Sequence, residues 1–153
     1  MDANNTPAFV LVDDDADDRF FMREAVERSG STYRVEEFAT GAEFLAYLQQ
    51  ELDEKGGEKV LWLVILDLNL PDMDGKAILK AMQQRPIWSQ VPVIVLSGQE
   101  GSSQAADLKA LGANDYLVKP SSMDELVHHI QTTFAPWLEQ PVRLSLENEQ
   151  ATS

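Results

Sequence analysis

Apolar residues fall along this chain in two rhythms that take turns. Ala8-Phe9-Val10-Leu11-Val12, Val60 to Leu66 and Val91 to Leu96 are short, almost unbroken apolar runs. Runs of this length suit strands buried on both faces, as in a parallel sheet between helices. Between and after them the spacing becomes helical. Met22, Ala25 and Val26 form one stripe, and Phe44, Leu45, Leu48 and Leu52 a second. Ile78, Leu79 and Met82 form a third, Ala105, Leu108 and Leu111 a weak fourth, and Leu126, Val127, Ile130 and Phe134 a fifth. Two shorter segments read as strands, Tyr33 to Phe38 and Asn114 to Val118. Boundary residues agree with this division. Gly30 and Gly112 close helices. Thr40 with Glu43, and Ser122 with Glu125, carry the capping-box pattern at helix starts. Pro86 and Pro136 are expected to mark helix ends.

Strand then helix, five times over, predicts an α/β domain with a parallel sheet covered on both faces. The expected arrangement is doubly wound and flavodoxin-like, with strand order 2-1-3-4-5. Residues 1–7 read as a loose tail, 8–135 as the domain and 136–153 as a C-terminal tail. The tail's Trp137, Leu138, Val142 and Leu144 leave two readings open, packing back on the domain or contact with a second copy.

Composition narrows the function. The 153-residue chain has 26 acidic and 12 basic residues, a formal charge of −14. That disfavours a nucleic-acid backbone and an anionic membrane surface, both of which call for clustered Lys and Arg. It favours cations or a basic partner. With no cysteine, disulfides and thiolate-ligated metals are excluded. No signal-peptide pattern or membrane-length apolar run is present, so the expected location is cytoplasmic.

The chemistry gathers at strand ends. The first strand ends at Asp13 and Asp14, the third at Asp67, the fourth at Ser97 and the fifth at Lys119. In the expected topology these ends share one rim, the carboxyl edge where open parallel sheets bind ligands. Converging carboxylates repel unless a cation joins them, and hard oxygen donors suit Mg²⁺. A carboxylate flanked by a cation, a lysine and a hydroxyl can receive a phosphoryl group. Asp67 would attack and become an acyl phosphate.

Four blocks now carry a resemblance. Val12-Asp13-Asp14, Leu66-Asp67 with Pro71 and Met73-Asp74-Gly75, Leu96-Ser97-Gly98, and Tyr116-Leu117-Val118-Lys119-Pro120 resemble the motifs of two-component response-regulator receiver domains. The match runs from about Phe9 to Phe134. The Asp13-Asp14-Asp15 run, Leu68-Asn69-Leu70-Pro71 and Trp137-Leu138 resemble stand-alone regulators of the cyanobacterial phytochrome-associated type, so no effector domain is expected. The resemblance implies that Asp67 is the phosphoacceptor. It implies Mg²⁺ among Asp13, Asp14, Asp67 and the Asn69 backbone carbonyl, with Ser97 and Lys119 on the phosphoryl group. Tyr116 would be the switch aromatic, and the Lys119-Pro120 bond would be cis. The implied donor is a sensor histidine kinase or a histidine phosphotransfer protein. A homodimer through the fourth helix, fifth strand and fifth helix, or through the tail, is the other expected contact. Ser97 stands where Thr is commoner, and Ser121 where an apolar residue is common.

Ordinary readings compete at several positions. Asp15, Asp17 and Asp18 read as a solvated helix start favourable to the dipole. Asp72 and Asp74 read as turn residues. His128 and His129 read as surface and part-buried helix positions. The rival enzyme is an aspartyl-nucleophile phosphatase of haloacid-dehalogenase type, which calls for a second Asp two residues after the nucleophile, where this chain has Asn69. A Rossmann-like nucleotide binder would need a glycine-rich phosphate loop, and neither common pattern occurs. The expectation is a phosphoacceptor rather than an enzyme of steady turnover.

Overall fold

Five parallel strands in the order β2-β1-β3-β4-β5 build the sheet, as the alternation of runs and stripes predicts. The computed structural model describes residues 8–54, 62–68, 70–98 and 102–139. In chain order the elements are β1 (Ala8–Val12), α1 (Ala16–Arg28), β2 (Arg34–Phe38), α2 (Gly41–Leu48), β3 (Trp62–Asp67) and α3 (Gly75–Gln83). They continue with β4 (Val93–Ser97), α4 (Ser102–Ala110), β5 (Asp115–Val118), α5 (Met123–His129) and α6 (Ala135–Glu139). Val60, Leu61, Asn69, Gln99, Val142 and Leu144 lie outside the described residues.

Side chains of a strand point to alternate faces, so each central strand feeds two cores. Ala8, Val10, Val12, Val64, Leu66, Val93 and Val95 pack with Phe44 and Leu48 of α2, Ile78, Leu79 and Met82 of α3, and Leu108 of α4. Phe9, Leu11, Leu63, Ile65, Ile94 and Leu96 pack with Met22, Ala25 and Val26 of α1 and Leu126 of α5. This explains why the first, third and fourth strands read as unbroken apolar runs. Outer strand β2 is half-buried throughout and alternates, with Val35 against the second core and Phe38 against the first.

Both capping sites form. Thr40 Oγ1 accepts from the Glu43 N–H at 3.1 Å and Ser122 Oγ from the Glu125 N–H at 3.1 Å. Pro136, however, does not end the last helix. The segment turns through a π-wound stretch, Ile130–Phe134, and continues as α6. The Ala135 N–H bonds the Ile130 carbonyl, an i→i+5 closure, so Pro136 falls in the first turn of a new α segment, where a missing N–H is tolerated. The side-chain spacing gives the reason. Leu126, Ile130, Phe134 and Leu138 are all buried and recur every four residues. Four residues overshoot one α-helical turn by about 40°. A wider turn in the middle returns Phe134 and Leu138 to the face already set by Leu126.

Candidate functional site

The ladder fixes which residues meet at the carboxyl edge. Val12 pairs with Leu66, which sets Asp13 and Asp67 side by side, one position beyond. Asp67 pairs with Leu96, and Ser97 with Val118, which brings Lys119 to the same rim. The Lys119 N–H donates to the Ser97 carbonyl at 2.7 Å, and the Asp13 N–H to the Phe38 carbonyl at 3.0 Å. Backbone bonds therefore hold the strand ends in line before any side chain acts.

Strand alternation then sorts the side chains. Asp67 continues the Leu63, Ile65 series, and Asp13 the Phe9, Leu11 series, so both carboxylates face the α1–α5 side. They line a small cavity there with Asp18, Lys119, Leu11 and Ile65. Ser97 continues the Val93, Val95 series towards the opposite face, the face on which Tyr116 packs half-buried. The hydroxyl and the ammonium thus lie at this rim on opposite sides of the sheet.

Asp67 and Ser97 are the buried polar residues among the described ones, 7% and 1% exposed. Oxygens of Asp13, Asp14 and Asp67 lie within 4.8 Å of one another. Lys119 Nζ sits 3.4 Å from Asp67 Oδ2, 3.6 Å from Asp13 Oδ2 and 3.0 Å from Asp18 Oδ2. Three carboxylates so share one ammonium. Burial is the main force pushing Asp13 up to about 6, with the charges of Asp67 and Asp18 adding to it. The Asp15 N–H and Lys119 pull the other way. Burial also works against the Lys119 charge, but the Asp18 hydrogen bond and the charges of Asp13 and Asp67 outweigh it and hold the ammonium above its ordinary value. Three converging hard oxygen donors, whose negative charge a single lysine only partly offsets, match the donor set of a divalent cation such as Mg²⁺. Asn69, whose carbonyl the resemblance adds to that set, lies outside the described residues.

The expected cis bond is not found. No cis peptide occurs among the described residues, so Lys119-Pro120 is trans. The two isomers of an X-Pro bond differ by only about 0.5–1 kcal/mol, so the dipeptide by itself does not fix the isomer.

Three residues outside the expected set support the site. Asp18, read as a solvated helix residue, is the nearest of the three carboxylates paired with the Lys119 ammonium. Its signal was helical spacing: Asp18, Met22, Ala25 and Val26 lie on one stripe, so the acid heads the face of α1 that packs on the sheet. Arg19 Nη1 donates to the Asp13 carbonyl at 2.7 Å, and its Nε to Glu37 at 3.1 Å; Arg23, one turn on, also pairs with Glu37. This braces Asp13 from β2.

Asp72 is the third. Its oxygens accept from the Gly41 and Ala42 N–H groups, each at 3.0 Å, capping α2 from the loop after Asp67. The approach is close. A Cβ on Gly41 would sit 2.5 Å from Met73 Cγ, and one on Gly75 would meet the Leu68 backbone at 3.0 Å. Those two hydrogen bonds hold the Asp72 carboxyl below its ordinary value. Stability from such a group is present above its unfolded-state value and is lost as pH falls through the lower folded-state one. Asp72→Ala is therefore expected to melt at a lower temperature than wild type at pH 7. Circular dichroism should show that gap narrowing below about pH 4.

Comparison with known proteins agrees with this geometry. The family description of the response regulator receiver domain matches residues 9–131. The probable methanogenesis regulatory protein FilR2 of Methanothrix harundinacea is 30% identical over 90% of this chain and 88% of its own. Response regulator Rcp1 of a Synechocystis strain is 29% identical over 90% of this chain and 94% of its own. The crystal structure of its Mn²⁺-bound form superposes with a TM-score of 0.72 over 90% of this chain and 98% of that one. The phosphorylated cyanobacterial phytochrome response regulator RcpA superposes with a TM-score of 0.75 at 28% identity, over 92% of this chain and 99% of that one. Fold, motif positions and relatives agree, and the chain belongs to the response regulator receiver domain family.

Proposed function

We propose that this chain is a phosphorylation switch in which Asp67 accepts a phosphoryl group from a phosphohistidine of a sensor histidine kinase or histidine phosphotransfer protein. The observation that carries the reading is the convergence of the Asp13, Asp14 and Asp67 carboxylates within 4.8 Å, with Lys119 3.4 Å from Asp67. An Asp67 oxygen forms a bond to phosphorus while the donor's P–N bond breaks, and the electron pair leaves with the imidazole nitrogen. Asp13, Asp14 and Asp67 would hold Mg²⁺, with the Asn69 carbonyl completing the protein ligands. When bound, the cation neutralises charge on the phosphoryl oxygens.

The chain's own groups do the rest. Lys119 moves from the carboxylates to a phosphoryl oxygen. The Ser97 hydroxyl, coming from the opposite side of the sheet, donates to another. Its movement draws the following loop inward, and Tyr116 turns with it. The α4–β5–α5 face then changes shape. That face contains an outer strand, the exposed Val118 and, on α4, Leu108 as the buried residue among its described side chains. A partner protein or a second copy would read it, in the cytoplasm.

The test is intact mass after incubation with acetyl phosphate. One phosphoryl adduct is expected with Mg²⁺ and none with a chelator. Adduct formation at the same rate in both, or mapping of the adduct to a residue other than Asp67, would overturn the reading.

A further inference from the structure

Asp18 is an acid at the rim, among the described residues, that no phosphoryl or metal role uses, yet it lies closer to the Lys119 ammonium than Asp67 or Asp13 does, 3.0 Å against 3.4 and 3.6 Å. It reaches in from the first turn of α1, on the stripe that carries Met22 and Val26, and its side chain is 43% exposed. We propose that Asp18 is a positioning residue that tethers the Lys119 ammonium in the resting state and competes for it with the incoming phosphoryl group. The inference deepens the phosphoacceptor reading of Asp67 and rests on it.

Charge and distance give the direction. A lysine ammonium is a point charge on a flexible stem, so its position is set by whichever anions hold it. At rest it is shared among Asp13, Asp18 and Asp67. When Asp67 takes a phosphoryl group, the ammonium must pair with the new oxygens, and every contact kept with Asp18 opposes that move. Asp18 also sets a full negative charge beside an approaching donor anion. Both effects slow phosphorylation. Neither involves Asp18 in the bond changes: an Asp67 oxygen bonds to phosphorus, the P–O bond of acetyl phosphate breaks, and acetate leaves with the electron pair.

The test follows phosphoryl uptake by intact mass in wild type, Asp18→Asn and Asp18→Glu, with Mg²⁺ present. Removing one unit charge several ångströms from a dianionic donor predicts uptake about fivefold faster in Asp18→Asn. The gain should be smaller with the less charged donor phosphoramidate and should shrink as salt rises. Asp18→Glu should return to the wild-type rate. A purely structural role for Asp18 would show neither donor-charge nor salt dependence. A second readout is independent of phosphorylation: the NMR signal of the Lys119 ammonium should be protected from exchange in the wild type and clearly less protected in Asp18→Asn, which leaves only the longer contacts to Asp13 and Asp67. Asp18→Asn uptake equal to or slower than wild type overturns the proposal, as does a Lys119 signal unchanged by the substitution. If wild type itself gains no phosphoryl group, it is the Asp67 reading that fails, and the lysine signal still decides whether the tether exists.

Discussion

Asp67→Asn is expected to take up no phosphoryl group from acetyl phosphate and Mg²⁺ while keeping the wild-type fold. The carboxamide has nearly the same shape, so a site only 7% exposed is neither overfilled nor emptied. It carries no charge and is no nucleophile at neutral pH. Lys119 is not stranded by the change, because Asp18 at 3.0 Å and Asp13 at 3.6 Å still hold it. The substitution also removes one of three carboxylates that crowd within 4.8 Å. In chelator, then, its melting temperature should equal or exceed that of wild type. With Mg²⁺ the order reverses. A ligand at about a hundred times its dissociation constant stabilises the state that binds it by about 2.7 kcal/mol, and Asp67→Asn should lose most of that increment. Differential scanning calorimetry with and without Mg²⁺, run beside intact mass, reads both halves. Full phosphoryl uptake by the variant, or an undiminished Mg²⁺ increment, would sink the assignment.

That opposite response to chelator and Mg²⁺ reflects how the site is made. Its members were legible in the sequence because each stands where an apolar run stops. A parallel sheet puts all its strand ends on the same edge, so Asp13, Asp67, Ser97 and Lys119 had to meet once the strand order was right. The order itself followed from the alternation of runs and stripes. What the strand-end rule does not see is side chains reaching the rim from helices and loops. Asp18 sits in an acidic first turn, where a dipole role is the ordinary expectation, and only its place at the head of the Met22 stripe marks it. Asp72 was harder still. Its partners, Gly41 and Ala42, belong to a different strand–helix unit, and no periodicity links a turn to a helix start some thirty residues earlier. The Lys119-Pro120 bond departs from its expected isomer for a different reason: the two states lie close in energy, so the dipeptide alone decides little.

Pro136 gave the least reliable signal, and the residue just before that junction should prove among the most sensitive in the chain. Phe134→Ala is expected to lose about 3–5 kcal/mol of folding stability. Phe134 is fully buried where the π-wound stretch meets α6, and its ring meets Phe9 of β1 edge-on, with centroids 6.0 Å apart. The His129 ring stacks near-parallel to it, with centroids 6.1 Å apart. Phe9 also contacts Tyr33 edge-on at 5.5 Å, so the ring joins the last helical segment to the central strand and, through it, to the outer part of the sheet. Truncation leaves a void bounded by elements that cannot all close in. Strand β1 is held on both sides by its neighbours, and the four-residue stripe of Leu126, Ile130 and Leu138 fixes the helical segment. For a domain of this size each kcal/mol moves the melting temperature by about 2–4 °C, so a fall of about 6–20 °C follows. Since Phe134 lies among the α1–α5 core residues and not among the cavity-lining ones, the folded fraction should still take up one phosphoryl group at close to the wild-type rate. A melting temperature within a degree or two of wild type would mean that the α5–π–α6 segment is not held through this ring.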